Sequence, residues 1–234
     1  MRFKGRTVIV TGAAGNLGSA VARRFASEGA SVALFGHRQE KVDALAKELG
    51  GKHAAFGVDL TDREATKKAV AEATEKLGPP HALCAIAGGF DMGTPVHEVP
   101  AETWQKMMDL NLGTLLSALA AVTPGMIERG AGKIVTVGAN GAKTGSKNMG
   151  SYAVSKSAVM RATESASAEL KGHGINVNSV LPSIIDTPEN RSAMPKADPA
   201  KWVTPESLAG VIAFLASDDA ADIHGALIPV TGLS

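Results

Sequence analysis

The chain of 234 residues is long enough for one domain with a substantial core, and its 44% apolar and 20% charged content is ordinary for a globular protein. Its 24 basic and 23 acidic side chains give a formal net charge of +1 with no block of one sign, which argues against nucleic acid or an anionic membrane surface as partner. The single cysteine, Cys84, rules out an internal disulfide and lies in an apolar run as a small buried side chain.

From the N-terminus, residues 7–10 read as a buried strand, too short for the apolar core of a signal peptide. No apolar run approaches the roughly 20 residues of a bilayer span, so a cytoplasmic protein with no membrane partner is expected. A helix over 17–28, a strand over 31–35, a helix over Gln39–Leu49 and a strand over 54–58 follow. The helix predicted over 62–77 opens with the spacing of a capping box, Thr61 with Glu64. A strand over 82–87 leads to a long helix, Ala101–Arg129, which Pro124 is expected to kink or end. Next come a strand over 133–137, a helix over 149–171 and a strand over 175–181. The segment 182–203, with four prolines, reads as an irregular loop, a substrate lid around 183–203. A helix over 205–216, with Thr204 as cap before Pro205, and a strand over 226–230 close the chain.

Continuous apolar strands alternating with helices specify an α/β fold: one domain, residues 1–234, holding a doubly wound, seven-stranded parallel sheet with helices on both faces. The turn Thr11-Gly12-Ala13-Ala14-Gly15-Asn16-Leu17-Gly18 joins the first strand to the first helix. Glycines there permit a tight turn and let a pyrophosphate approach the helix N-terminus, the dinucleotide-binding arrangement of a Rossmann fold. Far along the chain, Tyr152 and Lys156 stand four residues apart, hence on one face of a helix. A phenol titrates near pH 10, and a neighbouring ammonium favours its ionised form, so the pair is a candidate acid/base near pH 7.

The glycine turn, the Tyr152/Lys156 pair and the seven-strand pattern together resemble the short-chain dehydrogenase/reductase family over essentially the whole chain. The resemblance implies a nicotinamide cofactor held by Gly12, Gly15, Asn16, Leu17 and Gly18, with Asp59 and Leu60 beside the adenine. Ala87 and Gly88 match the end of that family's NNAG segment, although Ala85 replaces its first asparagine. Pro182, Ile185 and Thr187 match a stretch whose threonine touches the nicotinamide side. Tyr152 is implied as proton donor, Lys156 as the residue that binds the ribose and lowers the tyrosine pKa, and Asn111 as support for a proton path to the lysine. The family's serine, thirteen positions before the tyrosine, is here Ala139, as in dihydropteridine-reductase-like members.

Three explanations of that alanine stay open: another donor (Asn140, Thr144 or Ser146) stands in, the substrate does not need one, or the chain binds nucleotide without efficient reduction. At the end of the second strand, Phe35-Gly36-His37-Arg38 carries no carboxylate to bond a ribose 2′-hydroxyl. Arg38, helped by His37, can fork onto a 2′-phosphate, so NADP(H) is favoured over NAD(H). Phe90, Ala139, Asn140, Met149, Met194 and Trp202 are candidates to face the substrate, and His97 reads as an exposed loop histidine. The resulting expectation is an oxidoreductase acting on a small carbonyl or secondary alcohol. A nucleotide-binding regulator and a lyase, dehydratase or epimerase on the same fold are the alternatives, and no metal site is expected. The resemblance further implies a homotetramer or homodimer through the helices at Ala101–Arg129 and 149–171.

Overall fold

The structure, a computed structural model, describes residues 1–234. Strands β1 (Thr7–Thr11), β2 (Ser31–Gly36), β3 (Ala54–Gly57), β4 (Pro80–Ala85), β5 (Gly132–Val137), β6 (Ile175–Pro182) and β7 (Leu227–Val230) form one sheet in the order 3-2-1-4-5-6-7. Every pairing is parallel. Helices α1 (Asn16–Ser27), α2 (Gln39–Leu49), α3 (Arg63–Leu77), α4 (Ala101–Met108), α5 (Thr114–Arg129), α6 (Gly150–Leu170), α7 (Pro188–Ala193) and α8 (Pro205–Leu215) complete it.

Because side chains alternate across a strand, each central strand feeds two cores. Val8 and Val10, Val32 and Leu34, and Ala82 and Cys84 join α1, α2 and α8 on one face. Ile9, Ala33, Phe35, Leu83 and Ile134 join α3, α5 and α6 on the other. The chain reverses direction of sheet growth between β1 and β4, and the crevice beyond the carboxyl ends of those two strands is where ligands bind in such sheets.

Four expectations are corrected. Asp62, not Thr61, caps α3, its carboxylate accepting from Glu64 N and Ala65 N at 3.0 Å each; the Thr61 hydroxyl instead donates to Asp59. A carboxylate at the cap also complements the helix dipole, so it outcompetes the neighbouring hydroxyl. Pro124 neither ends nor splits α5, which runs on to Arg129 with Val122 and Met126 buried on either side of it. Packing of that face offsets the lost backbone bond. The segment 182–203 is not wholly irregular: it carries α7 and a 3₁₀ turn at Pro199–Lys201. Finally, the continuous helical run Ala101–Arg129 is long and apolar enough to cross a membrane by length and composition alone. Its inner side chains Leu115, Ala118, Val122 and Met126 pack among sheet residues such as Ile134 and Val177.

Candidate active site

The glycine turn is built by close backbone approach. Gly12 holds φ 63°, and a Cβ there would lie 2.9 Å from Ala87 Cα. At Gly18 a Cβ would come within 2.1 Å of the Gly12 carbonyl oxygen, so α1 docks directly on the turn. Thr11 Oγ1 accepts from Ile86 N and Ala87 N, at 3.0 and 3.1 Å, and so clamps the ends of β1 and β4 together. Gly15, extended at φ −83°, begins α1 with no side-chain cap, leaving first-turn N–H groups for an anion. These residues fit the pyrophosphate of a dinucleotide. Leu17 contributes backbone only, since its side chain enters the core, and Leu60 is buried likewise. Asn16 donates to Glu189 of α7 at 2.7 Å, tying segment 183–203 to the turn.

His37 and Arg38, at the end of β2, are exposed and carry no ion pair. Asp59 lies near them and takes two hydrogen bonds from Thr61, N at 2.9 Å and Oγ1 at 2.7 Å. Those bonds, with a smaller attraction from His37, hold its carboxyl below the usual carboxylate range.

The chemical residues converge on Gly88. A Cβ at that position would sit 2.5 Å from Asn111 Oδ1 and 3.2 Å from Lys156 Nζ. Asn111 lies in a single π-helical turn, Asp109–Gly113, between α4 and α5. Such insertions recur at functional sites because they turn a side chain off the helix register. Its amide accepts from Gly89 N at 3.0 Å and donates to Gly89 O at 3.1 Å and Ser155 Oγ at 3.0 Å. Ser155 in turn donates to Tyr152 O at 2.9 Å. Asn111 therefore braces the 88–89 strand end and α6 at once. Sequence reasoning missed Ser155, whose only signal is its position one turn after Tyr152.

Lys156 is buried, donates to Val137 O at 2.9 Å, and is pushed down to about 8 by loss of solvent. Tyr152 is pushed up to about 12 for the same reason. Within the chain alone, burial moves both toward their neutral forms, and the ammonium's bond goes to the backbone. The Tyr152 hydroxyl takes no hydrogen bond from the protein, and its ring meets Phe90 edge-on at 4.8 Å.

Around this centre the expected substrate residues separate. Phe90 is 58% exposed, with Met92 and Val96 also exposed on the same loop. That loop is anchored to the α6 entry by Gly93 N donating to Asn148 O at 2.8 Å, Asn148 holding the left-handed φ of 59°. Met149 and Met194 are half-buried, and Ala139 is buried with Tyr152 packed against its cluster. Trp202 is buried, 7% exposed, and its backbone lies against Gly232. Thr187 caps α7, Oγ1 accepting from Asn190 N at 3.2 Å, which leaves its O–H free to donate. Pro182 is buried at the end of β6, and Ile185 bridges to Val203. His97 is exposed beside Glu98, as expected.

The model of the short chain dehydrogenase family matches residues 6–198. The chain belongs to the short-chain dehydrogenase family. Among curated relatives, this dehydrogenase is 32% identical to the 3-oxoacyl-acyl-carrier-protein reductase of Thermotoga maritima, over 99% of its own length and 98% of the relative. It is 33% identical to the meso-2,3-butanediol dehydrogenase of Serratia marcescens, over 99% and 95% of the two chains. A solved short-chain dehydrogenase from Mycobacterium ulcerans superposes with a TM-score of 0.94 at 28% identity, over 100% of this chain and 90% of that one. The protein is an NAD(P)-dependent oxidoreductase that passes hydride between the cofactor and a small substrate.

Proposed function

We propose that this dehydrogenase works with NADP(H) in preference to NAD(H) and reduces small, uncharged, predominantly apolar ketones. The observation that carries the catalytic assignment is the meeting of Asn111, Lys156 and Gly88 beneath Tyr152. A bound nicotinamide would supply hydride to the carbonyl carbon, or accept it from the alcohol. Gly12, Gly15 and Gly18 would hold its pyrophosphate, with Asn16 alongside. Tyr152 keeps its proton across neutral pH, because burial has raised it to about 12, and so stands ready as general acid to the substrate oxygen. Lys156, with one N–H on Val137 O, keeps two for the ribose and for protons moving toward Tyr152. Asn111 fixes the strand end and the helix against which both act. Phe90, Met92 and Met149 offer apolar surface at the mouth, and segment 183–203 is read as the lid that keeps water out.

NADP(H) preference is supported by the unpaired Arg38 and His37 beside a β2 end that lacks a carboxylate. Exposed Leu116 on α5 and Val154 on α6 support pairing of copies through these helices, as a homodimer or homotetramer. The free, buried thiol of Cys84 fits a reducing cytoplasm. The test is a fluorescence titration of NADPH and NADH, followed by turnover of a carbonyl panel. Arg38→Ala is expected to weaken NADPH binding tenfold or more while leaving NADH within about twofold. Equal affinities of the wild type for both cofactors would refute the preference.

A further inference from the structure

Only one buried side-chain nitrogen or oxygen in the structure has no hydrogen-bond partner, and it is Oδ1 of Asn140. Proteins pair more than nine in ten such groups, because leaving one dry and unpaired is costly. The other end of the same amide, Nδ2, also bonds nothing in the chain and is not fully enclosed, the residue being half-buried. Asn140 immediately follows Ala139, whose methyl shares a small cluster with Ala153, Met160 and the Tyr152 ring. It opens the tight turn Asn140–Ala142, closed by Ala142 N donating to Ala139 O at 3.1 Å. Ser157 Oγ of α6 holds that turn through Ala142 O at 2.6 Å. The amide is thus carried at a fixed height beside the helix that bears Tyr152. The two other side chains the sequence offered, Thr144 and Ser146, are exposed.

We propose that the Asn140 carboxamide is a substrate-contacting residue that supplies the donor missing at Ala139: its Nδ2–H bonds the reacting oxygen while Tyr152 protonates that same atom. The inference rests on the oxidoreductase reading of the site. A bound reduced nicotinamide would supply hydride to the carbonyl carbon; the π pair displaced onto oxygen is met there by the Tyr152 proton. Asn140 gains and loses no proton; it stabilises the growing negative charge, as amide side chains do in oxyanion holes. The phenol is then restored by water. Burying the acceptor end without a partner keeps the donor end turned out, an expense in stability that a purely structural asparagine has no reason to carry.

The experiment compares Asn140→Ala, Ala139→Ser and the double variant with the wild-type chain, using NADPH and a ketone that the wild type reduces. Asn140→Ala is expected to lower kcat by about 10²–10³-fold, the usual effect of losing one such donor, with KM within a few-fold. Its melting temperature should hold or rise, since a buried unpaired acceptor has been removed. Adding Ala139→Ser to it should recover at least tenfold in kcat, which no repair of a merely structural defect would achieve. An unchanged kcat in Asn140→Ala, or a loss the new serine does not recover, overturns the inference while leaving the oxidoreductase reading intact. A wild-type chain that reduces no carbonyl refutes that reading itself, and this inference with it.

Discussion

Lys156 places an ammonium where the fold has removed its water, and the stability cost of that choice is measurable through pH. Burial lowers its pKa from 10.5 to about 8. At 1.36 kcal/mol per pKa unit, the difference corresponds to about 3 kcal/mol. Below pH 8 both folded and unfolded chains hold the proton, so the folded chain carries the whole penalty. Between 8 and 10.5 the unfolded chain still binds a proton that the folded chain has released, so stability rises with pH and the penalty fades. Lys156→Met keeps the stem and removes the charge. It also leaves Val137 O without its 2.9 Å partner, a loss of about 1–3 kcal/mol that does not depend on pH. Near pH 7 the two effects roughly cancel and the variant should match the wild type. By about pH 9.5 roughly 2 kcal/mol of the wild-type penalty has gone, so the variant should fall behind by that amount. Urea unfolding of both chains at the two pH values reads the difference directly. A gap that stays constant within about 0.5 kcal/mol would refute the claim that Lys156 is buried as a charge.

Tyr152→Phe should abolish carbonyl reduction while leaving the urea midpoint within about 0.5 kcal/mol of wild type, because the hydroxyl takes no bond from the protein. A large loss of stability would show that the hydroxyl is structural. Gly12→Ala and Gly15→Ala should separate fold from binding. At Gly12 a side chain meets both a left-handed backbone and Ala87 Cα at 2.9 Å, for a cost of about 2 kcal/mol or more. At Gly15, with φ −83° and its nearest neighbour at 3.4 Å, thermal stability should be unchanged while nucleotide affinity falls at least tenfold. Loss of stability in both, or in neither, would contradict this geometry.

Much of the fold was legible because it rests on local signals. Continuous apolar strand runs, the cap at Thr204 and the glycine spacing at 12, 15 and 18 each act within a few residues, and the structure keeps them. Tyr152 and Lys156 were found for the same reason, being one helical turn apart. Where two local signals competed, the sequence alone chose badly. Thr61 and Asp62 both qualify as a cap, and only the folded turn gives the position to Asp62, because the Thr61 hydroxyl is drawn to Asp59. Thr187, expected at the cofactor, also accepts from Asn190 N at the start of α7, a contact the spacing did not reveal, and its O–H stays free to donate.

Local patterns in the chain thus specified the sheet, the nucleotide turn and the Tyr152/Lys156 pair, but not the contact that Ser155 makes. Only the tertiary structure decided what those groups feel. It brought Gly88 against Asn111 and Lys156, residues far apart along the chain, and moved the lysine down and the tyrosine up by burial rather than by their mutual charge. It also distinguished Asn140 from Thr144 and Ser146, which composition cannot do. Dihedral preference and spacing are written in neighbouring residues, whereas burial, pairing and pKa depend on what the rest of the chain places alongside.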